Sequence, residues 1–388
     1  MQRKSGLTSF ILSFILTQCL VLSPVLAKSS KISSKTSTES YAFSTEILQG
    51  PYSSWGVDKD QKGSINLLKA WQKFKKKKEI VVAVIDTGID YNHPYLKDNI
   101  IASSGSVSEK NYGMDFSKSV KSGMEKTPND SHGHGTHVAG IIKTAFPDVK
   151  LLALKYYDPK ASGQENLNST IKALEYAVEA NVDVINYSGG GPEPSDEELE
   201  MLKKAEKKGI LVVAAAGNEK SNIDDQKNAY YPASYGLSNI ITVMAHDQSV
   251  EKIASSNFGA KSVDISAPGY RIRSSIPAQG SAKEGKAGYM TGTSQATAFA
   301  SGVAALIKAA NPNLSAKEIK AIIINSADKD NSSFKKINLS GGRLDALAAL
   351  KEATHDNEKA PSQRKVANNV VHTIIYGTKN IRKSSSKK

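Results

Sequence analysis

Residue types that together can cleave an acyl bond occur at the ends of apolar runs in this chain. Asp86 follows the apolar run Ile80–Ile85, His134 opens the segment HGTHVAG, and Ser294 lies in GTSQA. A carboxylate can orient an imidazole, and the imidazole can take the proton of a hydroxyl that attacks a carbonyl carbon. Asn218, in AAAGNE, adds a carboxamide at the end of another apolar run. The pattern predicts acyl transfer by a serine nucleophile.

These residues need a scaffold that brings them together. Short apolar runs, which are typical of buried parallel strands, alternate with helical patterns. The predicted strands are Ile80–Ile85, Leu151–Tyr157, Val182–Tyr187, Ile210–Ala216 and Ile240–Ala245, and the predicted helices include Leu167–Glu179, Ser195–Lys208 and one that starts with a capping box at Ser315. We therefore predict the α/β class, with a single domain in which a central, mostly parallel β-sheet is flanked by helices.

The predicted topology collects the polar residues at one edge. The carboxyl ends of parallel strands meet there, so Asp86, the glycine-rich turn after Tyr187 and Asn218 should lie close together. His134 and Ser294 each stand at the head of an apolar helix, where unpaired backbone N–H groups and the positive end of the helix dipole favour a nearby anion. Taken singly these signals are weak, because a strand-terminal Asp is usually a turn residue and a Ser before a helix is usually its cap.

Together, however, the motifs resemble those of the subtilisin-like serine proteases, the subtilases of the peptidase S8 family. The resemblance spans roughly residues 50–353 and rests on VAVIDTGID, HGTHVAG, VINYSGGGP, AAAGNE, APG, GTSQA and GGRLDALAAL, in that order. It implies a subtilisin-like three-layer fold and a serine endopeptidase. In that family's arrangement Asp86 orients His134, and His134 takes the proton of Ser294. Asn218 and the backbone N–H of Ser294 form the oxyanion hole.

The resemblance also implies how a substrate is held. The segment of Ser188, Gly189 and Gly190 pairs with an extended peptide as an added strand, and the opposite wall of the first specificity pocket is formed by Ala215, Ala216 and Gly217. A large apolar or aromatic residue before the cut is the default expectation. Gly189 stands where the family frequently has a larger residue, which predicts a wider cleft.

The N-terminus has the pattern of a secretory signal peptide. MQRK precedes the apolar run Leu7–Leu16, and small residues near Ala27 suit cleavage, so we predict a signal peptide over 1–27 and a secreted or periplasmic protein. An uncleaved membrane anchor is the alternative. Lipoprotein export through Cys19 is not favoured, because Gln18 stands where a small residue is usual. The predicted remainder is a flexible leader (28–48), a catalytic domain (49–353) and a basic C-terminal extension (354–388).

The formal charge of +13 raises the question of an acidic partner. Residues 1–49 carry five basic and two acidic groups and residues 359–388 carry eight basic and none acidic, which leaves only about +2 on the central part. Binding of nucleic acid or of a membrane surface through Lys75–Lys78 and the tail is therefore a secondary hypothesis. We predict protein or peptide substrates, no nucleic acid, no stable membrane association after signal cleavage, and a monomer.

Two further alternatives remain open from the sequence. His132, His134 and His137 have a spacing that can bind a metal, although Thr136 replaces the Asp that such a signature needs before its last His. We predict no metal and no cofactor. The other alternative is a pseudoprotease that binds peptides without cutting them, although every residue of the catalytic set is present.

Overall fold

The computed structural model describes residues 42–101, 113–278, 285–330 and 332–355. The predicted signal peptide, the first part of the predicted leader and nearly all of the predicted C-terminal extension lie outside the described residues. No helix within the described ranges is long and apolar enough to cross a membrane.

Strands and helices alternate along the described chain. The strands are β1 Val81–Asp86, β2 Gly113–Asp115, β3 Lys150–Lys155, β4 Val184–Tyr187, β5 Leu211–Ala215, β6 Ile240–His246, β7 Ile265–Pro268, β8 Ile272–Ile276 and β9 Lys286–Met290. The helices are α1 Leu67–Lys73, α2 His134–Ala145, α3 Gly163–Glu179, α4 Asp196–Lys207, α5 Thr293–Ala310, α6 Ala316–Asn325 and α7 Ala346–His355. Short 3₁₀ turns occupy Thr45–Leu48, Trp55–Val57, Gln226–Asn228, Ala233–Tyr235 and Ser332–Lys336.

Seven of these described strands form one parallel sheet in the order β2-β3-β1-β4-β5-β6-β7, while β8 and β9 form an antiparallel hairpin. The chain places β3 on one side of β1 and then crosses to β4 on the other side. Such a reversal leaves a crevice at the carboxyl ends of the central strands, where open α/β sheets bind their ligands. The crevice lies beside Asp86, the last residue of β1.

The sheet lies between two layers of helices. In β1, Val82 and Val84 face the core that contains α2 and α5, whereas Ala83 and Ile85 face the core that contains α3 and α4. This alternation follows from the two-residue period of side chains along a strand. The three-layer α/β fold predicted from the sequence is confirmed.

The observed boundaries match most of the predicted ones. The five predicted strands agree with the structure to within about two residues at each end, which is the usual uncertainty of element ends. Helix α3 begins at Gly163, earlier than the predicted Leu167, because Ser162 and Glu165 form a capping box. The Ser162 hydroxyl accepts from the Glu165 N–H and the Glu165 carboxylate accepts from the Ser162 N–H, which satisfies two N-terminal donors.

Packed structure also reaches into the segment predicted as leader. Phe43 stacks on Phe74 with ring centroids 5.3 Å apart and meets Trp71 edge to face at 5.2 Å. Such aromatic pairs add to the energy of burial. Part of the segment 28–48 is thus held by the core, whereas its sequence showed no apolar period.

Candidate active site

The central feature of the site is a contact between the end of β1 and the start of α2. Asp86 is buried, with 3% of its side chain exposed, and its Oδ1 accepts a hydrogen bond from His134 Nδ1 at 2.7 Å. The same oxygen accepts from the backbone N–H of Thr87 at 2.7 Å. A carboxylate held in this way fixes the ring of His134 with Nδ1 protonated, which leaves Nε2 as the basic nitrogen.

Helix α2 can bring His134 to Asp86 because its first turn lies directly on the loop after β1. A Cβ atom added at Gly135 would lie 2.0 Å from the carbonyl oxygen of Gly88, so no other residue fits there without moving the backbone. Thr87 Oγ1 accepts from the Gly135 N–H at 2.9 Å and joins the same loop to the helix.

Asp130 is a further residue of this region that the sequence analysis did not single out. Its Oδ1 accepts from Thr87 Oγ1 and from the N–H groups of His132 and Gly133, and its Oδ2 accepts from the N–H and the hydroxyl of Thr136, all at 2.7–2.9 Å. The buried carboxylate therefore satisfies donors of the turn that leads into α2. An Asp shortly before a helix start was the available signal, since Asp is favoured near helix N-termini.

Two opposing effects set the pKa of His134. Burial lowers it, but the neighbouring Asp86 carboxylate raises it by attraction and by the hydrogen bond, with a smaller contribution from Asp130, and the net pKa lies above the ordinary value. The imidazolium form is thus stabilised by the two carboxylates. This is the form that a general base adopts after it has taken a proton.

Ser294 is the second residue of α5 and is buried. Helix α5 packs closely against α2 at Gly302, where no side chain keeps the helices apart. A Cβ atom added at Gly302 would lie 2.5 Å from the Cβ of Ala145. The Ser294 hydroxyl donates to the carbonyl oxygen of Ser188 at 3.0 Å. Since a hydroxyl carries one hydrogen, Ser294 does not donate to His134 in this conformation. The hydroxyl hydrogen would have to turn away from the Ser188 carbonyl, by rotation about the Cβ–Oγ bond at the least, before it could be directed at His134.

Asn218 follows β5 and lies beside the first turn of α5. Its Oδ1 accepts from the backbone N–H of Thr293 at 3.0 Å and lies 3.4 Å from the Thr293 hydroxyl. The oxygen arm of the amide is therefore anchored to the helix, and the Nδ2 arm is the one that remains for a substrate oxygen. The structure brings the predicted residues Asp86, His134, Ser294 and Asn218 to the same edge of the sheet.

The two predicted walls of the substrate cleft also lie at this edge. Ser188–Gly190 follows β4, and Ala215–Gly217 begins with the last residue of β5, which is the neighbour of β4 in the sheet. The expectation that Gly189 widens the cleft is wrong, because the space of its missing side chain is taken by Tyr156. A Cβ atom at Gly189 would lie 2.4 Å from the Tyr156 hydroxyl oxygen.

The histidines do not form the metal cluster that their spacing allowed. His134 Nδ1 is directed at Asp86, while His137 Nε2 lies 3.0 Å from the carbonyl oxygen of Ile272 in the protein interior. Burial lowers the pKa of His137 to about 4, although its hydrogen bonds and nearby Asp86 act in the opposite direction, so it is a neutral core residue at pH 7. Within the described ranges, no group of three or more His, Cys, Asp or Glu side chains is placed to hold a metal ion.

The basic run Lys75–Lys78 is partly neutralised. Lys76 Nζ lies 3.0 Å from Asp148, and Lys78 forms an ion pair with Asp183. Both pairs are at least partly exposed and contribute little to stability. They reduce the positive field that an acidic partner would meet at this surface.

Comparison with known proteins agrees with this arrangement. The Peptidase S8 sequence profile, described as the subtilase family, matches residues 77–360. The chain is 36% identical to the major intracellular serine protease of Bacillus subtilis (strain 168) over 256 residues, which are 63% of this chain and 74% of that protein. It is 32% identical to subtilisin DY of Bacillus licheniformis over 264 residues, 66% of this chain and 86% of that protein. It is 33% identical to thermitase of Thermoactinomyces vulgaris over 258 residues, 64% of this chain and 81% of that protein.

The profile covers most of the chain, and the sheet and helices of the structure are those that the resemblance implied. The chain belongs to the subtilase family of serine-type endopeptidases.

Proposed function

We propose that this chain hydrolyses peptide bonds with Ser294 as nucleophile, His134 as general base and acid, and Asp86 as the residue that orients His134. The observation that carries the proposal is the 2.7 Å hydrogen bond between Asp86 Oδ1 and His134 Nδ1 at the sheet edge that also holds Ser294. A buried carboxylate behind an imidazole has this geometry in serine hydrolases of unrelated folds.

The proposed reaction starts with a change of partner. The Ser294 hydroxyl leaves the Ser188 carbonyl, transfers its proton to His134 Nε2 and attacks the scissile carbonyl carbon. Negative charge then develops on the carbonyl oxygen, where Asn218 Nδ2 and the Ser294 N–H donate to it. His134 gives the proton to the leaving amine, and a water molecule, deprotonated by the same imidazole, cleaves the acyl-enzyme.

The Ser188 carbonyl has a second role in this proposal. Once released by Ser294 it can accept from the substrate N–H, so that the peptide adds as a strand along Ser188–Gly190. This pairing uses main-chain groups and favours unfolded protein segments. A cavity of about 390 Å³ lies beyond Gly190, lined by aromatic residues such as Tyr156 and Tyr187, and can take a side chain further upstream in the substrate.

We also propose export of the protein, with 1–27 as a cleaved signal peptide, 49–353 as the catalytic domain and 354–388 as a basic extension. The support is the charged start, the apolar run and the small residues near Ala27. Because one of the similar proteins is named an intracellular protease, export needs its own test. N-terminal sequencing of the protein from the medium or periplasm should begin at Lys28, and an intact N-terminus on a cytoplasmic protein would refute export.

The test of activity uses the mature chain beside a Ser294→Ala copy and an unfolded protein substrate. We expect the mature chain to fragment the substrate and the Ser294→Ala copy to lose this activity by at least about a thousandfold. A folded protein that binds the unfolded substrate without cutting it would instead be a pseudoprotease. Equal cleavage by both proteins would point to a contaminating protease and refute the proposed role of Ser294.

A further inference from the structure

The gap between the two walls of the predicted first specificity pocket contains a tyrosine ring. A Cβ atom at Gly190 would lie 2.5 Å from Tyr230 Cε1 and 3.0 Å from Tyr230 Cζ, and one at Gly217 would lie 3.1 Å from Tyr230 Cδ2. Opposite edges of one ring therefore lie in the space that side chains at Gly190 and Gly217, one on each wall, would need. Because carbon atoms pack at about 3.5–4.0 Å, a gap that holds this ring has no room for a second one.

The ring is held in this position by its surroundings. The Tyr230 N–H donates to Ser234 Oγ at 3.0 Å. The next residue, Tyr231, exchanges two backbone hydrogen bonds, at 2.8 Å and 3.0 Å, with Gly191, which directly follows the wall segment Ser188–Gly190. These bonds fix the backbone from which the Tyr230 ring projects into the gap. Burial, with the charges of Glu219 and Glu198 nearby, raises the pKa of the Tyr230 hydroxyl.

We propose that Tyr230 closes the first specificity pocket, so that the enzyme cuts after small residues such as Gly, Ala and Ser. This inference rests on the proposed function, since it assigns the residue before the cut to the gap between Ser188–Gly190 and Ala215–Gly217. It replaces the default expectation of a large apolar or aromatic residue at that position. Tyr230 is a specificity-determining residue and takes no part in the chemistry.

The size of the effect follows from what the closed pocket excludes. A Phe side chain buries its ring when it enters an open pocket, whereas here the ring would stay at the mouth of the cleft. A single methylene group more or less in a hydrophobic pocket changes kcat/KM by about 10- to 200-fold, and a Phe ring is much larger. We therefore expect peptides with Phe before the cut to have kcat/KM values at least about 100-fold below those of the Ala peptides.

The experiment uses fluorogenic peptides that differ only in the residue before the cut, namely Gly, Ala, Ser, Leu or Phe. The wild type should prefer the small residues. Tyr230→Ala should open the gap and raise the ratio of kcat/KM for Phe over Ala by about 100-fold. Tyr230→Phe is the matched control: it keeps the ring, loses only the hydroxyl and should retain the wild-type order.

Labelling with a fluorophosphonate separates the two hypotheses. If the wild type is neither labelled nor active on any peptide, the proposed function fails, and this inference fails with it. If it is labelled and cuts after Phe as well as after Ala, the inference alone is refuted. The ranking by the wild type tests the inference even when Tyr230→Ala does not fold, and cut sites in a digested protein provide the same ranking.

Discussion

Asp130 should control both the stability of the domain and the position of His134, although it is not one of the proposed reacting groups. In the structure five donors converge on its two oxygens. Asp130→Asn keeps the shape of the side chain but replaces one oxygen by a donor and removes the charge. This single substitution therefore tests whether the carboxylate organises the start of α2.

The expected cost follows from counting these bonds. If the side-chain oxygen of the Asn takes the place of Oδ1, it can still accept from Thr87, His132 and Gly133. The NH₂ group of the Asn then takes the place of Oδ2 and faces the N–H of Thr136. One buried N–H is then left without an acceptor, which costs about 1–3 kcal/mol. The other bonds weaken because hydrogen bonds to a charged acceptor are roughly twice as strong as neutral ones. We expect the free energy of unfolding to fall by about 2–4 kcal/mol.

Two assays follow from this argument. Urea unfolding, with catalysis blocked by Ser294→Ala in the same chain, measures the loss of stability. In the active chain, a displaced His134 should lower kcat by about 10- to 100-fold. The pH dependence of kcat/KM adds a readout that a purely structural role would not move. Asp130 raises the pKa of His134, so its removal should shift the acid limb of the profile to lower pH.

The matched control is Asp115→Asn. Asp115 is also buried, and its Oδ1 accepts from the N–H and the hydroxyl of Ser117, but it has no hydrogen bond to α2. We expect this variant to lose some stability while the acid limb stays in place. If Asp130→Asn leaves stability, kcat and the pH profile within error of the wild type, or if Asp115→Asn shifts the limb equally, the reasoning is refuted.

Three further outcomes are expected from the geometry. Asn218→Ala should lower kcat by about a hundred- to a thousandfold, the range known for the corresponding loss in subtilisin itself, with little change in KM. Steady-state kinetics that show a change in KM alone would contradict the oxyanion role. As the pH is lowered, kcat/KM of the wild type should begin to fall at a pH above the ordinary pKa of a histidine, because net attraction to Asp86 raises the pKa of His134. Asp86→Asn should shift this acid limb of the pH profile to lower pH and reduce kcat by about 10⁴-fold. A pH series on both proteins would check these two expectations. Lys320→Met should destabilise the fold by about 3–5 kcal/mol in urea unfolding, because it leaves buried Asp264 without the ammonium group now 3.0 Å away, and the double variant with Asp264→Asn should recover part of this loss.

Local patterns in the sequence predicted the five central strands of the sheet but not its edge strands β2 and β7, and they indicated the candidate site residues. The buried strands are continuous apolar runs, and the capping boxes at Ser162 and Ser315 are short-range signals, of which only the second was used to predict a helix start. Asp86, His134 and Ser294 stand in motifs whose order could be compared with a known family. These features depend on neighbours in the sequence, so a single chain reveals them.

The contacts that shape the cleft could not be predicted in the same way. Tyr230 lies between Gly190 and Gly217 only because segments far apart in the sequence meet beside the sheet, and Tyr156 fills the space at Gly189 for the same reason. A tyrosine in a loop carries no local sign of the glycines it will touch. The resting hydrogen bond of Ser294 to the Ser188 carbonyl likewise depends on a rotamer, which sequence patterns do not report.

The central claim is that His134 activates Ser294 as the nucleophile. The most direct measurement is peptide mapping by mass spectrometry after reaction with a fluorophosphonate, for the wild type and for His134→Ala. We predict one adduct, on the peptide that contains Ser294, and labelling slower by at least about a thousandfold in His134→Ala. An adduct on another residue, or equally rapid labelling of Ser294 without His134, would contradict it.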